Sequence, residues 1–353
     1  MNVIPKLMRG VQLTGHGGPE MLNFRTDIPV PAPGPGDVLV RVLAAGVNNT
    51  DINTRVGWYS KGDGDSADAS WAGDALQFPR IQGIDVCGQI AAVGDGVTKL
   101  RVGERVLIEP CLTEWHGQAL EKPWFLGSEC DGGFAEYVSV ASRHAFHIQS
   151  DLGDAALASF PCSYSTAENM LTRATVSAQD CVLITGASGG VGSAAIQLAK
   201  ARGCRVIAMT SPAHMDGLLD LGADVAVDRN DDVVNRLSGD SVTVVVDLVA
   251  GPQWPKLLDV LCPRGRYVVA GAVGGPLVDL DVRTLYLKDL SLLGCTILDD
   301  GVFANLVSHI ASGRIRPVVA QTWDLADIEQ AQRAFGQKGY VGKIVLKVAA
   351  DAT

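Results

Sequence analysis

Residues 185–192 read T-G-A-S-G-G-V-G, and no other stretch constrains the fold of this chain as tightly. The octet follows a short apolar β run at 182–185 and opens a helical pattern over 192–202. Strand, glycine turn and helix in that order form a tight βα unit, a far more informative context than a glycine string alone. Glycines at 189 and 192 let the backbone approach a pyrophosphate and let the helix pack close to the strand. The helix N-terminus then offers free N–H groups and the positive end of its dipole. On this reading Ser188, Gly189, Gly190, Val191 and Gly192 cradle a dinucleotide, with Ala187 standing where the first glycine would be. The plainer alternative is a ligand-free βα turn, and the further βα units behind it weigh against that. Strand-like runs at 206–209, 223–227, 242–247 and 266–270 alternate with helical ones at 213–221, 231–237 and 253–261. Apolar strands without polar alternation imply a parallel sheet covered on both faces by helices, the doubly wound α/β architecture. A short-chain dehydrogenase would carry its glycine motif near the start, with a later tyrosine followed four residues on by lysine. Neither holds here. Methyltransferases share the fold, but their glycine loops rarely continue as GVGSAAIQLAK.

The first 160 or so residues have another texture. Short β-type runs at 8–13, 37–43, 87–93 and 105–108 are separated by turn clusters such as PAPGPGD, which points to a rolled sheet or barrel-like domain. A polar stretch at 61–74, KGDGDSADASWAGD, reads as a surface insertion. Near the end, helices around 303–312 and 326–335 precede a strand at 343–348. At roughly 150 residues per domain, 353 residues make two or three. The expected division is 1–162, 163–295 and 296–353.

Charge excludes one class of partner. Twenty-nine basic against 39 acidic residues leave −10, and no basic cluster offsets it, so no nucleic-acid partner is expected. No apolar run reaches the roughly 18 residues that span a bilayer, and the N-terminal residues lack a secretory apolar core, so no membrane is expected. Eight cysteines with no CxxC pair read as reduced thiols, for which the cytoplasm is the expected compartment.

The end of the second parallel strand carries Thr210 and Ser211, with His214 close behind. NAD binders usually place a carboxylate there for the ribose hydroxyl. Its absence removes the repulsion against a 2′-phosphate, and hydroxyls plus histidine can donate to one, so NADP(H) is the expected cofactor. If Thr210 is merely a strand end, discrimination is weak.

Across nearly its whole length the chain resembles the medium-chain dehydrogenase/reductase superfamily, in its quinone oxidoreductase (zeta-crystallin-like) branch. The resemblance lies in GHGGPEML (15–22), VLVRVLAAGVNNTDINTR (38–55), AAVGDGVTKLRVGERV (91–106), DGGFAEYV (131–138), GASGGVGSAAIQLAK (186–200) and GKIVL (342–346). It implies a GroES-like catalytic domain, a Rossmann domain, an active site in the cleft between them and a C-terminal stretch that returns to the catalytic domain. It further implies that Thr166 lies near the nicotinamide and Val191 behind its ring. By the same resemblance Gly271 and Val273 supply backbone near the carboxamide, and Lys343 reaches toward the pyrophosphate. A homodimer is the family's habit.

The departures bear on chemistry. Zinc alcohol dehydrogenases carry Cys where this chain has Asn48, and His-Glu where it has Ile84-Asp85, while the third ligand position keeps Cys162. Catalytic zinc needs three protein ligands, so no metal is expected, although Asp85 or Cys87 could join Cys162 in a rebuilt site. Where the structural-zinc lobe normally holds four closely spaced cysteines, the equivalent stretch here has only Cys111, His116 and Cys130. Matched to the branch, Asn48 and Tyr59 are the side chains that would polarise a substrate oxygen, and Thr50 sits at the proton-relay hydroxyl. Asn48 and Thr50 could instead merely cap a helix starting at Asp51, and Tyr59 could be a rim aromatic. The resulting expectation is NADPH-dependent hydride transfer to a quinone, enone or other activated carbonyl or alkene, without metal, on a small-molecule substrate. The alternatives are a zinc-type alcohol dehydrogenase and a non-catalytic dinucleotide-binding protein.

Overall fold

The computed structural model describes residues 4–60, 70–71, 75–237 and 241–349. Of the polar stretch at 61–74, all but Ser70 and Trp71 therefore lies outside the described residues. The chain forms two compact units: residues 1–162, 319–339 and 343–353 make the first, and residues 163–318 and 340–342 the second.

In the first unit the strands are β1 (Leu7–Leu13), β2 (Leu22–Pro29), β3 (Asp37–Val47), β4 (Arg80–Ile81), β5 (Asp85–Val93) and β6 (Arg105–Ile108). They continue with β7 (Cys111–Trp115), β8 (Gln118–Phe125), β9 (Tyr137–Ala141) and β10 (Ala145–His147). The returning chain adds β17 (Val319–Asp324) and β18 (Lys343–Lys347). A seven-stranded sheet runs β10-β6-β5-β3-β18-β17 with β9 also paired to β3, beside smaller sheets β2-β1-β4 and β7-β8. The long central β3 reads DVLVRVLAAGV and is buried almost throughout, so it shows an apolar run and not an alternation. Strand register sets the neighbours of its far end: Gly46 lies opposite Asp85 of β5, and Val47 lies opposite Ile344 of β18. Three residues far apart in sequence, Asn48, Asp85 and Lys343, thereby meet at one end of β3. A Cβ on Gly46 would fall 2.5 Å from Asp85 Oδ2 and 2.9 Å from Ala158 O, so the glycine is what lets the carboxylate lie there. The β7-β8 hairpin, which no pattern in the sequence signals, turns on His116 and Gly117, both with positive φ (50° and 72°), as a two-residue primed turn requires.

The second unit holds β11 (Cys181–Ile184), β12 (Arg205–Thr210), β13 (Val225–Asp228), β14 (Val242–Asp247), β15 (Leu261–Val269) and β16 (Ser291–Gly294). They pair in the order β13-β12-β11-β14-β15-β16, every pair parallel. The order reverses between β11 and β14, the switch point at whose carboxyl ends doubly wound sheets bind ligands. Together the two units form the expected GroES-like plus Rossmann α/β architecture. Residues 296–318, placed by sequence with the returning segment, belong instead to the second unit. Asn169 Nδ2 donates to Ile297 O at 2.9 Å, Asp299 N donates to Asn169 Oδ1 at 3.1 Å, and Arg316 N donates to Gln197 Oε1 at 2.8 Å, all within that unit.

Candidate active site

In the first unit the convergence at the end of β3 is a buried charged network. Lys343 Nζ donates to Asp85 Oδ2 at 2.7 Å and to Asn48 Oδ1 at 2.5 Å. Asn48 Nδ2 donates to Asp85 Oδ2 at 2.8 Å and to Gly46 O at 3.3 Å, while Cys162 N donates to Asp85 Oδ1 at 2.5 Å. Asp85 is wholly buried and Lys343 only 2% exposed. An isolated charge in such a place would be prohibitive, and each of these two is matched by its opposite. Asn48 also caps the helix Asn49–Arg55, its N–H donating to Asp51 Oδ2 at 2.8 Å. Burial lifts the Asp51 carboxyl to about 7, against the pull of the Asn48 N–H and the Lys343 charge.

Two expectations are corrected here. Lys343 does not extend toward a pyrophosphate: its ammonium is turned inward and bound to Asp85 and Asn48 within the first unit. Asn48 does not present a free amide, because both its N–H groups are engaged and its carbonyl accepts from Lys343. Its side chain is committed within this network, and the helix it caps begins at Asn49, two residues before the expected start.

Thr50 and Tyr59 are brought together as a hydroxyl pair, the Tyr59 O–H donating to Thr50 Oγ1 at 3.3 Å. Burial raises the Tyr59 pKa above its ordinary value, only partly offset by hydrogen bonding to Thr50. Tyr59 thus stays protonated and remains a donor. Its ring stacks on Trp71 (centroids 5.9 Å, 3° between planes), which stacks in turn on Phe125 at 4.2 Å. That ladder fixes the phenol, an anchoring the sequence did not disclose.

In the second unit the glycine turn leaves β11 and enters the helix Gly190–Ala201, with Gly189 as its N-cap. A Cβ on Gly192 would meet Gly186 O at 2.4 Å, so close packing of helix on strand depends on that glycine. At Gly189 a Cβ would meet only Gly186 O, at 3.4 Å, and would otherwise project into the open space above the turn. Unmet N–H groups of the first helical turn beside a surface kept free of side chains fit a dinucleotide pyrophosphate. Thr185 Oγ1 braces the strand end, donating to Asp247 Oδ1 at 2.5 Å and accepting from Leu248 N at 2.9 Å. Thr210 closes β12 buried, whereas Ser211 and His214 are half-buried, with Ser211 Oγ and His214 Nδ1 3.2 Å from each other. Gly271 and Val273 follow β15 at the same carboxyl edge, and a Cβ on Gly271 would strike Leu248 O at 2.7 Å. Thr166 is half-buried on the helix Pro161–Arg173.

The positions that would hold zinc do not suit it. Asp85 is saturated by an ammonium, an amide and a backbone N–H, so a cation there would have to displace the buried Lys343 charge. Burial raises the Cys87 thiol far above the ordinary range, well away from the thiolate a metal requires. In the second candidate cluster His116 Nδ1 is paired with Asp37 Oδ2 at 2.5 Å, and burial pushes the Cys130 thiol up to about 12. Among the described residues no group of three or more His, Cys, Asp or Glu could hold a metal ion.

Comparison with known proteins agrees with this architecture. Residues 34–150 match the model for an alcohol dehydrogenase GroES-like domain, and residues 190–312 that for a zinc-binding dehydrogenase. Human quinone oxidoreductase is 29% identical over 97% of this chain and 98% of its own. The acryloyl-coenzyme A reductase of Metallosphaera sedula is 29% identical over 96% of this chain and 99% of its own. A Sinorhizobium meliloti protein, whose crystal structure carries a provisional alcohol dehydrogenase assignment, is 42% identical with a TM-score of 0.89, covering 99% of both chains.

Proposed function

The chain belongs to the medium-chain dehydrogenase/reductase superfamily, in its quinone oxidoreductase branch, and from that premise we propose that it is an NADPH-dependent reductase of conjugated carbonyl compounds. The carrying observation is the commitment of Asp85 to Lys343, Asn48 and the Cys162 N–H. With that carboxylate occupied, the hydroxyl pair of Tyr59 and Thr50 in the same unit is what polarises a substrate oxygen in this reading. Alcohol oxidation needs a strongly acidified hydroxyl, for which a bound metal is the usual device. Reduction of a C=C–C=O system or a quinone needs only donors on the oxygen where charge accumulates. Two relatives, named a quinone oxidoreductase and an acryloyl-coenzyme A reductase, have conjugated carbonyl compounds in their names, and both support the reading.

The reduced nicotinamide supplies the hydride. Tyr59 donates to the acceptor oxygen, Thr50 accepts from Tyr59 when no substrate is present, and the Lys343–Asp85–Asn48 network fixes the helix that carries Thr50. In the second unit, Ser188, Gly189, Gly190, Val191 and Gly192 receive the pyrophosphate. Thr210, Ser211 and His214 would hold the adenosine ribose, and Thr166, Gly271 and Val273 would border the nicotinamide. The test is an NADPH-oxidation panel over quinones, enones, enoyl thioesters and simple aldehydes, run with and without a strong chelator. Turnover of at least one conjugated class, insensitive to the chelator, is expected. Activity confined to unconjugated alcohols and aldehydes, or abolished by chelation, would sink the proposal.

The cytoplasm fits eight cysteines of which none is in a disulfide, and among the described residues no helix is long and apolar enough to cross a membrane. A homodimer fits the open edge of the parallel sheet. Strand β16 has a partner on one side only among the described residues, and Leu277, Val282, Tyr286 and Leu287 nearby are all more than half exposed. An edge strand with apolar neighbours calls for a cover, and a second copy offers a self-complementary one. Light scattering should report twice the 37.1 kDa chain mass. A monomer at micromolar concentration would contradict this.

A further inference from the structure

The parallel sheet of the second unit has a cavity at the edge opposite the glycine turn. It lies at the amino ends of β11, β12 and β13 and measures about 180 Å³, lined by Cys181, Arg205 and Val225, the residues that start those three strands. Ile207 of β12 and Arg236 and Leu237 of the helix Val233–Leu237 also line it. The lining is chemically mixed. Ile207 is 3% exposed, and the half-buried Val225 and Leu237 pack against the same hydrophobic core. The two arginines are exposed, and among the described residues no hydrogen bond or ion pair holds either guanidinium.

The carboxylates nearest in sequence to these arginines are engaged elsewhere. Both oxygens of Asp224 accept from Lys200 Nζ at 2.9 Å, and Oδ2 also accepts from Val206 N at 2.7 Å. Asp180 is paired with Arg266 and accepts from Thr243 Oγ1 at 2.7 Å. Asp232, one turn before Arg236, is paired with Lys256 at 3.2 Å. Burial raises the Cys181 pKa and the Arg205 charge opposes that rise, so the guanidinium is felt at the cavity wall. An exposed arginine is ordinarily just solvated. Two of them bordering one partly apolar cavity, with no carboxylate of their own, suit an anion that carries an apolar body. An apolar cavity of about 150 Å³ holds one benzene, so this one sets that body at a single ring.

We propose that this cavity binds a small organic carboxylate with a single-ring body, the carboxylate held by Arg205 and Arg236 and the ring packed on Ile207, Val225 and Leu237. The site lies within the second unit alone and does not depend on the reductase reading. Calorimetric titration of the full chain with benzoate tests it, beside benzamide, which keeps the ring without the charge, and inorganic phosphate, which keeps charge without the ring. Benzoate should bind, and the other two should bind at least about tenfold more weakly. Arg205→Gln and Arg236→Gln should each weaken benzoate about tenfold, the scale of one lost charge-assisted contact. Arg236→Lys should retain part of the affinity. Both arginines are exposed, so the unfolding midpoints of these variants should match that of the unmodified chain. Arg283→Gln removes an exposed charge that does not line the cavity, and should leave benzoate binding unaltered. Absence of benzoate binding at millimolar concentration overturns the proposal, as does an affinity that neither Arg205→Gln nor Arg236→Gln changes. Phosphate binding as tightly as benzoate would overturn the assignment of a ring-bearing ligand.

Discussion

Lys343→Met is expected to lower the stability of the folded chain by about 3–5 kcal/mol, the usual cost of removing one member of a buried ion pair. The side chains of Lys343 and Asp85 are 3% and 0% exposed, so water cannot replace the lost partner. With the ammonium gone, Asp85 keeps only the Asn48 amide and the Cys162 N–H. Asp51, whose raised pKa is moderated by the same lysine, is pushed further up. Adding Asp85→Asn to Lys343→Met should recover part of the loss, because it removes the stranded charge while keeping an acceptor for the Cys162 N–H. Urea unfolding of the four chains of this cycle gives the coupling directly. A loss below about 1 kcal/mol for Lys343→Met, in the range of exposed pairs, would mean that the pair is open to solvent.

The network shows where sequence reasoning reaches its limit. The glycine turn was legible because its meaning is local: strand, turn and helix are contiguous, and the steric demand on Gly192 comes from Gly186, six residues away. The role of Lys343 was not local. It depends on a strand register that joins residues 295 positions apart, and a lone lysine opening a strand looks like solvated surface. One signal was present. Asp85 sits between apolar residues at the start of a strand whose first half is buried, and a carboxylate in such a run needs a cation from somewhere. Residues 296–318 were misplaced because the side-chain bonds of Asn169 and Gln197 that hold them carry no periodic signature.

At the proposed reaction centre the expected result is that Tyr59→Phe slows hydride transfer to an enone or quinone about a hundredfold, the effect of losing one oxyanion donor at roughly 3 kcal/mol. Hydride arriving at the β-carbon moves electron density onto the acceptor oxygen, and the charge there needs a donor that is aimed in advance. Tyr59 is so aimed: its ring is fixed by stacking on Trp71, and its O–H is turned to Thr50, from which it can swing to a substrate oxygen. Because burial raises its pKa, Tyr59 serves as a hydrogen-bond donor and is a poor source of the proton itself. That proton then comes from solvent, and the hydride step should stay flat through the pH range in which an ordinary tyrosine ionises. Affinity for NADPH should be unchanged in the variant, since the glycine turn and the end of β12 lie in the other unit. Asn48→Ala gives a contrasting signature. Both amide hydrogens of Asn48 already go to Asp85 and Gly46, so its loss should appear mainly as reduced stability. Single-turnover absorbance of NADPH, read beside the unfolding midpoints of both variants, separates the two roles. Full hydride-transfer rate in Tyr59→Phe would remove Tyr59 from the reaction and leave Thr50 as the remaining donor of the pair.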